Sequence, residues 1–240
     1  GRIVYYVSDG RSPTQLRIAN GVDGLGAQTV VRVAGTGAPA VHPNEQEIYF
    51  SASEVHRDIY LFNDLFRFDR RSGETTRLTD GMRAQEPDVS PDGRTIVFAA
   101  NSTEPPYRTL DTDLFAVGTA GGEVRNLTAD NPAEDQGPVF SPDGRFVAYG
   151  RERKADGWPD YARLALLELA TGRTTVLTEG WDNAAAGWAF TPDGKEIVFH
   201  AEVRARVNLY RIPVAGGSPR EVFRGGTTAG ASVAPGGPWK

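Results

Sequence analysis

Two carboxylates, Glu86 and Asp88, stand two residues apart just before the turn at Ser90, in a context that is otherwise small and aliphatic. Aligned two and four residues ahead of five recurring turns stand Ala40, Asp88, Val139, Ala189 and Ser232, and Ala38, Glu86, Gly137, Gly187 and Gly230. Only Glu86 and Asp88 carry charge. Two carboxylates among such neighbours must be hydrated, paired or bound to a cation. With Asp135 from the neighbouring loop they make a candidate polar site able to hold water or a cation. The three histidines, His42, His56 and His200, lack the spacing of a metal pair, and no Asp-x-Asp-x-Asp-Gly calcium loop occurs. Cysteine is absent, which removes thiolate chemistry and disulfides, and no cofactor is expected. Ser232 sits in Gly230-Ala231-Ser232-Val233-Ala234, which lacks the final glycine of a nucleophile elbow and reads as a strand. The remaining candidates are recognition groups on long connections: His56, Arg83, Tyr107, Trp158 and Trp181. Trp, Tyr and Arg are the usual anchors of protein or peptide binding.

The elements that must carry these residues repeat along the chain. Ser90-Pro91-Asp92-Gly93, Ser141-Pro142-Asp143-Gly144 and Thr191-Pro192-Asp193-Gly194 each precede an apolar strand such as Thr95-Ile96-Val97-Phe98. Pro presets φ, Asp bonds locally and Gly takes φ > 0, as a tight turn requires. Degenerate copies start at His42 and Ala234. The turns therefore recur about every 43 to 51 residues, with four strand-sized segments between them, the period of propeller blades. The spacing predicts an all-β, five-bladed β-propeller of four-stranded antiparallel blades in one domain. Blade 1 comprises 1–35 plus 228–240, blade 2 36–80, blade 3 81–129, blade 4 130–180 and blade 5 181–227. The chain opens on a second strand, Arg2 to Val7, and ends on a first strand, Gly230 to Ala234. Pairing the C-terminal strand with the N-terminal blade would close the ring and remove its open edges. The first–second and third–fourth turns are short and share one face. The loops of the opposite face are long, and function on a rigid scaffold tends to sit on such loops.

Composition narrows the classes. A formal net charge of −5 with scattered Lys and Arg argues against nucleic-acid binding. No run of eighteen apolar residues offers a membrane-inserted helix. The chain begins Gly1-Arg2 without Met or a leader, as a mature form, an excised fragment or an engineered chain would.

The Ser-Pro-Asp-Gly-Arg/Lys turns, followed by Ile-Val-Phe-like strands and by Asp113-Leu114-Phe115 and Asn126-Leu127-Thr128, resemble TolB-like propeller repeats. Such repeats occur in periplasmic TolB and in the N-terminal propellers of prolyl oligopeptidase-type peptidases. The part up to about Ala100 is more similar to the TolB-like repeats of envelope proteins, and the part after Asp111 to the peptidase propellers. The resemblance implies a periplasmic or cell-envelope location. In the peptidases it implies a Ser-Asp-His triad in a separate α/β domain. TolB-type propellers usually have six blades and the peptidase ones seven or eight, so five is a departure. Fold does not assign function here. The expected function is a non-catalytic, monomeric scaffold, not an enzyme, whose partner is a protein or peptide. The alternatives are a glycosidase-like propeller hydrolase with its site at the channel mouth, and an engineered or fragment-derived chimeric propeller without a selected function.

Overall fold

The turn tetrapeptides are tied by their own side chains. In the computed structural model the Ser90 hydroxyl donates to Asp92 Oδ1 (2.6 Å), which accepts from Arg94 N (3.0 Å). Gly93 N donates to Ser90 O at 2.8 Å, with Gly93 at φ 71°. Ser141 and Thr191 make the same 2.6 Å bond to Asp143 and Asp193, with Gly144 and Gly194 at φ 70° and 67°. These hydroxyl bonds, helped by a backbone N–H, hold all three aspartates below the ordinary carboxylate range. At the degenerate turn His42 Nδ1 accepts from Asn44 N (3.1 Å), so Nε2 carries the proton and donates to Gly93 O (2.8 Å). A Cβ on Gly93 would lie 2.2 Å from His42 Nε2, so this glycine is required by space as well as by φ.

The structure describes residues 2–7, 15–20, 28–32, 34–55, 61–101, 111–155 and 160–223. Among them all regular structure is strand. The chain divides into two compact units, 1–104 with 115–126, and 105–114 with 127–240. In the first unit, β1 (Arg2–Val7), β2 (Gln15–Asn20) and β3 (Gln28–Arg32) form a three-stranded antiparallel sheet. The second sheet is β4 (Ala34–Val41), β5 (Glu47–Val55), β6 (Leu61–Asp69) and β7 (Thr75–Arg77). The third is β8 (Gln85–Val89), β9 (Thr95–Ala100), β10 (Asp113–Gly118) and β11 (Arg125–Asn126), with only the start of β10 assigned to the second unit. The second unit holds the fourth sheet, β12 (Asp135–Phe140), β13 (Phe146–Arg151), β14 (Arg163–Glu168) and β15 (Arg173–Val176). It also holds the fifth, β16 (Ala186–Phe190), β17 (Glu196–Val203), β18 (Arg206–Pro213) and β19 (Arg220–Phe223). The closing strand expected over 230–234 lies outside the described residues.

Burial follows strand order within a sheet. The middle strands β9, β10, β13 and β14 are buried along most of their length, whereas β7 and β11 are exposed throughout. This explains the continuous apolar runs of the middle strands, which are covered on both faces, and the Thr and Arg of the outer ones. The first unit packs Tyr49, Leu65, Ile96 and Phe98, with Phe98 stacked on Phe115 at 5.9 Å. The second packs Leu164, Ile197, Phe199 and Ile212. Fully burying one such side chain contributes roughly 1.5–3 kcal/mol.

Two further devices recur. A threonine hydroxyl accepts from the N–H of a leucine in the third strand: Thr79 from Leu65 (2.9 Å), Thr128 from Leu114 (2.9 Å) and Thr178 from Leu164 (3.0 Å). The first strand of the third, fourth and fifth sheets also carries a register shift, between Gln85 and Asp88, Gln136 and Val139, and Ala186 and Ala189. The residue in the shift is left-handed: Glu86 at φ 51°, Gly137 at 62° and Gly187 at 56°.

Candidate functional site

The longer connections cluster their polar groups where the first strand of a sheet begins and the second ends. In the second sheet the hub is Asp64, fully buried within the third strand. It accepts from Arg77, from the Thr79 hydroxyl (2.8 Å) and from Gly81 N and Met82 N (3.1 and 3.2 Å), and so folds the following loop over itself. Asp113, Arg163 and Asn208 hold the equivalent place before the leucine in the later sheets. The charge is thus reversed in the fourth sheet. Arg163 lies 4.1 Å over the Tyr161 ring and donates to Asp160 Oδ2 (3.1 Å). Burial opposes ionisation of Asp160, but bonds from Arg163 and from the Arg153 and Tyr161 N–H groups outweigh it and bring the carboxyl down to about 2. Arg153 also pairs with Glu179, and the Tyr161 hydroxyl donates to Asp182 at 3.4 Å.

Asp135 opens β12 and is fully buried. Its Oδ1 accepts from Asn131 Nδ2 at 2.9 Å, and Oδ2 has no hydrogen-bond partner. Arg151 is its cross-strand partner, yet the guanidinium goes to the Tyr149 hydroxyl (3.0 Å) and Asp130 (3.2 Å). Burial lifts the Asp135 carboxyl to about 7, against the Thr128 hydroxyl, the Arg151 charge and the Asn131 amide. Burial likewise raises Asp111, with Asp113 adding to it, and Glu152, with Glu134 and Asp160 adding to it. These three carboxyls thus hold their protons more tightly than solvated ones, because burial disfavours the charged form, whereas Asp160 does not. Among the described residues no three His, Asp or Glu side chains group to hold a metal ion.

The other sequence candidates are dispersed. Glu86 is exposed and Asp88 half-buried, both in the first unit, and the register shift between Gln85 and Asp88 breaks the simple alternation used to align them. Arg83 donates to Asn101 O at 2.8 Å. Trp181 packs edge-on to Phe199 and Tyr210, with centroids 5.6 and 4.9 Å away, as part of the second unit's core. His56, Tyr107 and Trp158 lie outside the described residues. Sequence reasoning missed Asp64, Asn131 and Asp160. Asp64 had a visible signal, since it begins the same Asp-Leu-Phe segment that marks Asp113.

No family model matches the chain. It is 32% identical over 140 residues, 57% of its length, to dipeptidyl-peptidase 5 of Porphyromonas gingivalis. It is 26% identical over 212 residues, 74% of its length, to the uncharacterized peptidase YuxL of Bacillus subtilis. The matched regions span only 20% and 31% of those proteins. These relatives overturn the expectation of a non-catalytic, non-enzymatic scaffold, because the proteins that share its sequence are named as peptidases. That expectation rests on the lack of a triad pattern among the repeats, and a propeller fold by itself decides neither for nor against an activity. Solved structures with the same fold include a β-propeller domain of a protease and TolB from Acinetobacter baumannii. TolB matches with a TM-score of 0.70 at 20% identity, over 92% of this chain and 52% of that one. The chain has the all-β fold of the TolB-like propellers, with four of its five described antiparallel sheets four-stranded.

Proposed function

We propose that this chain is the propeller portion of a peptidase-type hydrolase acting on peptide substrates, working beside an α/β catalytic domain. The observation that carries it is the 32% identity over 140 residues to a dipeptidyl-peptidase of which the matched region is only one fifth. The fold is compatible with it, since one fold hosts many activities and the chemistry then lies in a site rather than in the propeller itself. The three-stranded first sheet supports a fifth blade completed by residues 230–234, which would close the ring. In the second unit the loop after β13, with Arg153, Asp160 and Tyr161 fixed in one network and Trp158 beside them in sequence, is the proposed peptide-facing rim.

The test is a hydrolysis assay on the full product of the reading frame that encodes this chain. Dipeptidyl and longer peptidyl 4-nitroanilides are offered in parallel with an oligosaccharide, the substrate class of the glycosidase-like alternative. Release of nitroaniline, with a Trp158→Ala variant raising KM more than it lowers kcat, is the expected result. A product that leaves every peptide intact, whether or not it cleaves the oligosaccharide, overturns the proposal.

A further inference from the structure

Six residues before the turns of the third, fourth and fifth sheets stand Ala84, Asp135 and Ala185. The three are structurally equivalent. Their backbone N–H groups donate to Asn63 O (2.8 Å), Thr112 O (2.7 Å) and Ala162 O (3.0 Å) respectively. All three are buried, at 0%, 0% and 3% exposure. The repeat thus provides a closed space for a methyl group, and the fourth sheet places a carboxyl there. A second exchange accompanies it: Asn131, four residues earlier, stands where Trp181 stands before Ala185, each three residues after its threonine. The Asn131 amide donates to Asp135 Oδ1, Ala133 O and Glu152 O, which binds the 128–135 segment to the fourth sheet.

This polar exchange is half completed. One carboxyl oxygen has a donor and Oδ2, buried, has none. The charged or titratable groups that face Asp135 are Arg151 and Tyr149 from β13 and Asp113 from β10. Arg151 is engaged by Tyr149 and Asp130, and Asp113 opposes a second negative charge. A neutral acid, even with its O–H unpaired, costs much less in such a space than a carboxylate with a bare oxygen.

We infer that Asp135 is a proton-holding switch: protonated, it keeps the 128–135 segment closed on the fourth sheet, and ionised, it releases that segment. The burial that lifts this carboxyl to about 7 supports the geometry. Its folded-state value lies above the ordinary 3.8, so the native chain holds a proton that the unfolded chain has lost. The stability linked to this group is therefore fully present below about pH 4 and falls as pH rises. It falls about tenfold in the folding equilibrium per pH unit up to about 7, then levels. This inference is independent of the hydrolase proposal, because it is read from stability and not from turnover.

The experiment is urea denaturation of the chain, of Asp135→Asn and of Asp135→Ala from pH 4.5 to 8.5. The alanine variant carries the residue of the sister sheets and keeps the test decisive if the asparagine fails to fold. The ratio of wild-type to variant folding constants is expected to drop about tenfold per unit between pH 5 and 7 and to flatten above. Amide exchange of residues 128–135, corrected for intrinsic rates, is expected to quicken between pH 6 and 8 in the wild type only. A ratio independent of pH overturns the inference. So does stabilisation of the wild type, but not of the variants, by sodium or calcium ions at pH 8, which would make Asp135 a cation ligand.

Discussion

Replacing Gly150 with alanine would place a methyl carbon 2.6 Å from Trp188 Cη2, 3.2 Å from Ala162 Cβ and 3.4 Å from Gln136 Cγ. Carbon atoms rest about 3.5–4.0 Å apart, so the indole must retreat by roughly 1 Å. It has nowhere easy to go. Its Nε1 donates to Gly137 O at 2.7 Å, and the ring lies 2.8 Å from where a Cβ on Gly137 would be, so two glycines of the fourth sheet form its slot. Overpacking of this kind costs about 1–3 kcal/mol, and loss of the indole bond adds about 1 kcal/mol. Gly150→Ala should thus destabilise by about 2–4 kcal/mol. Trp188→Ala alone should cost about 2–3 kcal/mol, below the full-burial range because the ring is half-buried. The decisive variant is the double one. With the indole gone the methyl meets no clash from it, so Gly150→Ala should cost little more in the Trp188→Ala background. Urea denaturation of the four proteins, with equal m-values, measures the coupling. Costs that add within about 0.5 kcal/mol would refute the reasoning, since they would mean that the indole does not occupy the Gly150 space.

Glu86 takes a left-handed conformation that Gly137 and Gly187 supply in the sister strands. Glu86→Gly should stabilise by about 1 kcal/mol, the relief of roughly 1–2 kcal/mol less the entropic cost of glycine; a melting temperature raised by about 2–4 °C checks it, and a lowered one counts against it. Asp64→Ala removes four bonds at a buried charge and leaves Arg77 without that partner, so a loss of about 3–5 kcal/mol in urea denaturation is expected, with Asp64→Asn milder.

What could be read from the sequence divides by the range of the physics. The turns at Ser90, Ser141 and Thr191 were legible because Pro, Asp and Gly act within five residues, and the strands after them because middle strands are apolar throughout. The first strands of the sheets were legible only in part. Alternation places Glu86 and Asp88 on one face if the ladder is unbroken, and the register shift between Gln85 and Asp88 breaks it. Gly137 and Gly187 carry the trace of that shift, but the Glu at 86 hides it in the third sheet. Asp135 stands out in the sequence only by its charge. Its distinctive feature, a carboxyl in an alanine position, needed the repeat aligned two residues further out. The Trp188 slot depends on packing between the fourth and fifth sheets, which no local pattern encodes. Function was misread for another reason: the repeat motifs report on turns and cores, and these are common to propellers of many activities.

Every ladder among the described residues joins strands that follow one another along the chain. For an all-β protein this is an unusually local wiring, since no described pairing waits for a distant segment to return. Loop-closure entropy is met one hairpin at a time, and contact order falls well below that of a Greek-key sandwich of equal length. Each sheet can therefore begin to form as its own forty to fifty residues leave the ribosome, before the next has been made. The side-chain knots at Ser90, Ser141 and Thr191 would be the earliest fixed points of that process, because they need only the tetrapeptide and the residue or two after it.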